Sequence, residues 1–280
     1  MTTNKFIRNY RLYITANGKE TIIQPPIRID FDAVKSISGQ LNKMSIMIHN
    51  LSVDTRLRIV KDAEDSTNIP LRLDIGYKDT MTTVFSGSVW KGSNMRQGAD
   101  IVTKIECLDG GFDLYNSFTN QVVKGSEECW DVIFGGMTNV TKGKITGFNS
   151  LTRPKVLFGN NIKLVENITL PTQTWFIDNE KLYIMAFNEI IGNGSSRYIP
   201  IISAKTGLIS TPERLQKKVS FRMFIDPTIR LAHWIQLEST TAPHLNGTYR
   251  IEDLNYTGSN YSDSWEMTCV GFLIPDAVVL

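Results

Sequence analysis

The stretch "SGSVWKGSNMRQGADIVTKIEC", residues 86–107, holds a strand-like run, a polar bend and a second run that ends in cysteine. Residues 246–269, "NGTYRIEDLNYTGSNYSDSWEMTC", repeat that plan half a chain later. Gly87 lies 20 residues before Cys107 and Gly247 lies 22 before Cys269, so the two hairpins have nearly equal length. Side chains alternate between faces along a strand. Thr103, Ile105 and Cys107 therefore match Trp265, Met267 and Cys269 on one face, while Lys104 and Glu106 match Glu266 and Thr268 on the other. A strand-like run precedes each hairpin, "LRLDIGY" in the first case and "IRLAHWIQLES" in the second, so a whole unit recurs.

This recurrence sets the expected architecture: a mainly β chain with a small α+β insertion. Residues 1–112 are read as a first β-barrel or sandwich domain with one short helix, 113–200 as the insertion, and 201–280 as a second, similar barrel. The barrels are free to exchange strands. In the first part, "KMSIMIHNL" sets Met44, Ile46 and Ile48 against Ser45, Met47 and His49, and "LRLDIGY" aligns Leu71, Leu73 and Ile75. "LSVDTRLRIV" predicts a short helix capped by Ser52, with Val53, Leu57 and Val60 lying over a sheet. The run 84–111 predicts a hairpin that bends between Gly92 and Gly98 and stops at Gly110 and Gly111.

In the insertion, "SEECWDVIFGGM" predicts a helix with Ser126 at its N-cap and Glu127 and Glu128 in the first turn, where the helix dipole favours anions. Trp130, Ile133, Phe134 and Met137 form its apolar face. Short strands are expected at "KVLFGNN" and "TQTWFIDNEKLYIMAF", with turns at Asp178 and Asn179 and at 192–196. Beyond Pro200, "KKVSFRMFI" alternates Val219, Phe221, Met223 and Ile225 against polar residues, and Pro227 and Pro243 fall between strands.

The 280 residues suffice for about two domains and a large core without staples. A 41% hydrophobic and 21% charged composition is that of an ordinary globular chain. No apolar run reaches the roughly 18 residues of a membrane span, and the N-terminus lacks a signal-peptide pattern. No membrane anchor and no secretion by that route are expected, so the sequons at Asn139, Asn167 and Asn246 read as coincidence. Cys107, Cys129 and Cys269 form no CxxC pair and an odd set, which suits reduced thiols. Thirty basic and twenty-eight acidic residues give a net charge of +2 with no basic patch, so any contact with DNA should be weak.

Chemistry lacks its parts. The histidines are His49, His233 and His244, without HExxH, a Cys/His cluster or a Gly-x-Ser-x-Gly elbow. Asp109 to Gly111 and the glycine-rich 192–196 lack the lysine of a phosphate loop and read as turns. Glu127 and Glu128 are adjacent at a helix start, not paired across a cleft. Trp90, Trp234 and Trp265 could stack sugars or bases, yet in alternating strands they read as packing residues, and Cys107 and Cys269 as small buried apolar ones. No catalytic, cofactor-binding or metal-ligating residue is assigned, and no enzyme activity is expected.

The segment "LRLDIGYKDTMTTVFSGSVWKGSNMRQGADIVTKIECLDGG" resembles a pattern of phage tail baseplate hub proteins: an apolar strand ending Gly-Tyr, then Phe-x-Gly, then a hairpin closing on Cys-x-Asp-Gly. "KTGLISTPERLQKKVSFRMFIDPTIRLAHWIQLES" followed by "LNGTYRIEDLNYTG" is similar to the C-terminal barrel of that family. The likeness covers most of the chain and is least distinctive over 140–200. It implies two tail-tube-like barrels per chain and a homotrimer whose pseudo-six-fold ring joins the hexameric tail tube to the three-fold central spike, around a DNA channel. Implied partners are the tail tube protein, the spike protein, and the tape measure and other baseplate proteins, in a virion assembled in the bacterial cytoplasm. DNA would pass as weakly contacted cargo along a smooth, uncharged or acidic wall. Two other readings stand beside it: a hexameric distal tail protein of a non-contractile tail, and a monomeric module that binds glycans or single strands.

Overall fold

The computed structural model describes residues 7–78, 80–146, 153–191 and 199–273. The turn expected at 192–196 lies outside them. Strands dominate, and a hairpin opens the chain. β1 (Arg8–Ala16) and β2 (Lys19–Ile23) are joined by Asn17 and Gly18 at φ of 53° and 72°, the positive values that a two-residue hairpin loop needs. β3 (Ile29–Ser36), β4 (Lys43–His49), α1 (Val53–Ile59), β5 (Pro70–Tyr77), β6 (Thr80–Gln97) and β7 (Asp100–Leu108) follow.

The middle of the chain carries α2 (Gly111–Asn116), β8 (Phe118–Val123), α3 (Ser126–Gly135), β9 (Thr141–Ile145), β10 (Lys155–Asn160), α4 (Asn161–Ile168), β11 (Gln173–Ile177) and β12 (Lys181–Ala186). The last part holds β13 (Ile201–Ile202), β14 (Glu213–Leu215), β15 (Lys218–Phe224), β16 (Trp234–Leu237), β17 (Gly247–Ser259) and β18 (Trp265–Leu273).

One large sheet runs in the order β14-β15-β18-β17-β3-β4-β7-β6-β5-β1-β2, with β16 also on β17 and β13 on β16. Both parts of it show the same pattern. β7 lies between β6 and β4, β5 flanks β6, and β3 flanks β4; likewise β18 lies between β17 and β15, β16 flanks β17, and β14 flanks β15. The register agrees. Cys107 stands opposite Met44 and Val89, and Cys269 opposite Phe221 and Leu254. Each hairpin's first strand carries a bulge, at Val89/Lys91 and at Ile251/Asp253. The paired faces behave as the parity requires: Thr103, Ile105, Cys107, Trp265, Met267 and Cys269 are all buried.

The first and last parts of the described chain meet inside this sheet. β17 runs antiparallel to β3 from Asp253 opposite Ser36 to Ser259 opposite Asp30, and one apolar core contains residues of β1, β4, β7, β15, β17 and β18. Arg8 reinforces the seam, donating to the carbonyls of Ser259, Ser262 and Asp263 while its guanidinium lies 5.8 Å from the Trp265 ring. The middle segment has a second core of Val123, Trp130, Ile133, Leu157, Val165 and Leu182 among others. There β8 pairs with β10, and β12 joins β11 antiparallel and β9 parallel.

Four expectations shift. The first hairpin turns at Gly98 (φ 64°), and Gly92 lies inside β6, where it bridges Lys61. α3 begins at Ser126, with Gly125 in the cap position, and Glu128 accepts the Lys124 N–H. α1 is capped by Ser52 as predicted, but Ile59 is its buried side chain while Val53, Leu57 and Val60 face solvent. Of "IRLAHWIQLES" only Trp234–Leu237 is strand, because Ala232 adopts φ 59° and the preceding residues turn.

Candidate interface surfaces

Asp109 closes the first hairpin and is fully buried. Its carboxylate accepts the N–H groups of Asn179 (2.7 Å) and Glu180 (2.8 Å), the two positive-φ residues of the β11–β12 turn. Around them Lys35 donates to Asp178 (2.6 Å) and Asn179 (3.0 Å), Asn42 donates to the Ile177 carbonyl (2.6 Å), and Ser86 donates to Glu180 (2.8 Å). Burial pushes the Asp109 carboxyl up to about 7, although Lys35 and the two amides pull it down. Asp113, four residues on, accepts the N–H groups of Thr138, Asn139 and Val140. The Asp-Gly-Gly at 109–111 is thus a clasp that fixes the middle segment to the sheet. Sequence reasoning saw the turn but not its partner 70 residues away.

The solvent face of the large sheet forms continuous rows. The register places Phe224, Glu266, Thr257, Asp32, Ser45, Glu106 and Lys91 side by side across β15, β18, β17, β3, β4, β7 and β6. Thr257 donates to Asp32 at 2.9 Å across the seam. Several charges on this face are paired, Arg222 with Glu266 (3.2 Å), Lys104 with Glu106 (2.7 Å) and Lys218 with Glu252 (2.9 Å), and His49 hydrogen-bonds Asp30 (3.0 Å). The Asp30 carboxyl is held below its usual range: burial alone would raise it, and hydrogen bonds from Ser259, Arg28 and His49 outweigh that. The result is a mixed face on which these paired groups alternate with exposed Val34, Met47 and Phe224.

Two other surfaces are apolar. The β8–β10 ribbon buries Val123 and Leu157 against its own core and turns Phe118, Asn120, Val122, Val156 and Phe158 outward. Phe118 and Phe158 meet edge to face at 5.2 Å, and Phe158 is 66% exposed. The second surface is the outer stripe of α1, where Leu57 is 64% exposed. Contiguous exposed apolar patches mark places of contact.

The residues weighed for chemistry are scattered. His49 bonds Asp30, His233 lies near the Leu231 carbonyl (2.8 Å), and His244 is exposed on a short 3-10 turn. The three cysteines are free and buried, and burial raises the thiols of Cys107 and Cys269. Trp265 is buried edge-on to Phe31 (5.5 Å), and Trp90 stacks on Tyr115 at 4.4 Å, which covers that ring face. Among the described residues no His/Cys/Asp/Glu group could hold a metal. No helix there is long and apolar enough to cross a membrane.

Comparison with known structures gives the fold a context. The 43 kDa tail protein of prophage MuSo2 from Shewanella oneidensis is similar with a TM-score of 0.61 at 9% identity, over 95% of this chain and 98% of that one. A tail protein from Neisseria meningitidis MC58 gives 0.58 at 8% identity, over 94% and 96%. The E. coli c3393 protein, a type VI secretion component described as similar to the T4 tail proteins gp27 and gp5, gives 0.62 at 7% identity, over 92% and 76%. No curated protein matches the sequence itself. The sequence pattern of the family described as baseplate hub gp41 matches residues 10–271, which take in the repeated hairpins, the clasp and the seam. With that match over nearly its whole length, the chain belongs to the baseplate hub family of phage tails, as a structural component and not an enzyme.

Proposed function

We propose that the protein assembles as a homotrimer in which each chain supplies two matched tube-like units, so that three chains form a pseudo-six-fold ring. The units correspond to residues 1–112 and 201–280, exchanging the β3–β17 pairing, with 113–200 as an insertion. The observation that carries this reading is the doubled strand order within one sheet, joined at β3 and β17. Two equivalent units times three copies match a hexameric partner on one side and a three-fold partner on the other, and closed rotational symmetry leaves no heterologous surface unsatisfied. The ring would join the tail tube to the central spike, with the tape measure and other baseplate proteins as further partners, in a virion assembled in the host cytoplasm.

The self-paired sheet face suits a channel wall. Phosphates bind through accumulated positive charge, and a wall on which Lys104, Lys218 and Arg222 each pair with an acid would present less of it to passing DNA. The test is the mass of the purified full chain by native mass spectrometry. Three copies of the 31.6 kDa chain are expected. Six copies would favour a distal tail ring, and a monomer that binds glycans or single strands would favour a recognition module; either result overturns the trimer.

A further inference from the structure

The repeat makes a specific statement about where one copy would meet the next, and this statement rests on the ring reading above. In the doubled strand order β3 corresponds to β14 and β17 corresponds to β6. Within the chain, β3 covers the Asp253–Ser259 stretch of β17. Among the described residues, the corresponding stretch of β6, from Lys91 onward, carries no second strand. Instead Lys61 and Gly92 exchange N–H···O bonds of 3.0 and 2.8 Å, and Asn94 donates to the Arg56 carbonyl of α1 at 3.4 Å. A Cβ on Gly92 would lie 2.2 Å from the Ile59 carbonyl oxygen, so the end of α1 sits directly on the strand. At the other end of the sheet β14 pairs with β15 alone among the described residues, which leave its outer edge open.

We infer that in the assembled ring the β14 edge of one copy lies against α1 of the next, repeating at the junction between copies the contact that β3 and β17 make inside the chain. A second copy is the occupant because the internal symmetry carries β3 onto β14 and β17 onto β6. The surfaces fit that role. α1 turns Val53, Leu57 and Val60 away from its own sheet, and the β14 side presents Leu215 and, just before it, Ile209, all exposed. Arg56 on α1 and Glu213 on β14 have no ion-pair partner in their own chain among the described residues. Open strand edges and apolar helix faces left to solvent are liabilities that assembly removes. The helix takes the place of a strand, so the inter-copy junction is a helix-on-edge contact and not a continued ladder.

The test uses the full chain. Leu57→Asp and Leu215→Asp alter exposed side chains and should leave the melting temperature of the monomer unchanged while shifting the ring to monomers, with at least a tenfold rise in the concentration needed for half assembly. Phe158→Asp, on the ribbon, should leave the ring intact. Mixing Leu57→Cys chains with Leu215→Cys chains and adding a bismaleimide should give a cross-linked dimer, whereas neither variant alone should, since the native cysteines are buried. A ring that survives Leu57→Asp without the mixed cross-link overturns this junction while leaving the trimer standing. A ring lost on Phe158→Asp but not on Leu57→Asp moves the junction to the ribbon and overturns it as well. A wild-type chain that is monomeric at every concentration overturns both the junction and the ring.

Discussion

The Asp109 carboxylate lies 2.7 Å from the backbone nitrogen of Asn179, joining the end of the first repeated hairpin to the β11–β12 turn of the middle segment. Asn179 is at φ 53° and Glu180 at φ 60°, so the turn holds a conformation that non-glycine residues adopt sparingly. The carboxylate compensates by satisfying both of its N–H groups.

Replacing Asp109 by Ala strands those two half-buried donors. A fully buried donor left without a partner costs about 1–3 kcal/mol, so Asp109→Ala should lower the unfolding free energy by about 1–3 kcal/mol in all. Amide exchange at Asn179 and Glu180 should rise with it. Unchanged protection there would contradict the clasp.

The same carboxyl makes stability depend on pH. Its folded value of about 7 exceeds the ordinary aspartate value of 3.8, so between those limits the native state holds a proton that the unfolded state releases. Stability from this group is present at low pH and is lost as pH rises through about 7. Urea unfolding of the wild type should therefore show a decline between about pH 4 and pH 7 that levels off above pH 7, and Asp109→Ala should flatten it. A decline of equal size in both proteins would assign it to another group.

The three cysteines are free and buried. An aromatic disulfide reagent should label none of them in the folded chain and all three in denaturant. Cys107→Ser and Cys269→Ser each place a hydroxyl among apolar neighbours without an assigned partner, and should cost similar amounts, about 1–3 kcal/mol. Strongly unequal costs would argue against equivalent environments in the two hairpins.

The polar sheet face can be tested by charge. Asp32→Lys with Glu106→Lys changes an exposed and a half-exposed position on the two strands that flank β4 and makes this face more basic. The variant should fold normally and bind duplex DNA at low salt with an affinity that falls steeply as salt rises, where the wild type binds weakly. Equal binding by both would show that the wall's charge balance has no bearing on DNA.

Much of this fold was legible in the sequence because alternation records burial. Ile105 and Cys107, like Met267 and Cys269, are buried where parity places them, and the hairpin spacing revealed the repeat. The seam between β3 and β17 was not legible, since strand pairing across more than 200 residues leaves no local mark. α2 and α4 were missed because six and eight residues hold too few turns to show a helical period. α1 was found but turned over: Val53, Leu57 and Val60 have the spacing of a core face, while the helix is anchored by Ile59 against β6. The outward ribbon of Phe118, Val122, Val156 and Phe158 was hidden for a related reason, as both faces of its strands carry apolar residues.

The measurement that bears most directly on the duplicated ring is an averaged electron-microscope image of the assembled particle, viewed down its axis. Six similar lobes built from three chains, with three smaller projections where the inserted segments lie, are predicted. Three undivided lobes, six complete chains or a particle without a central opening would contradict it.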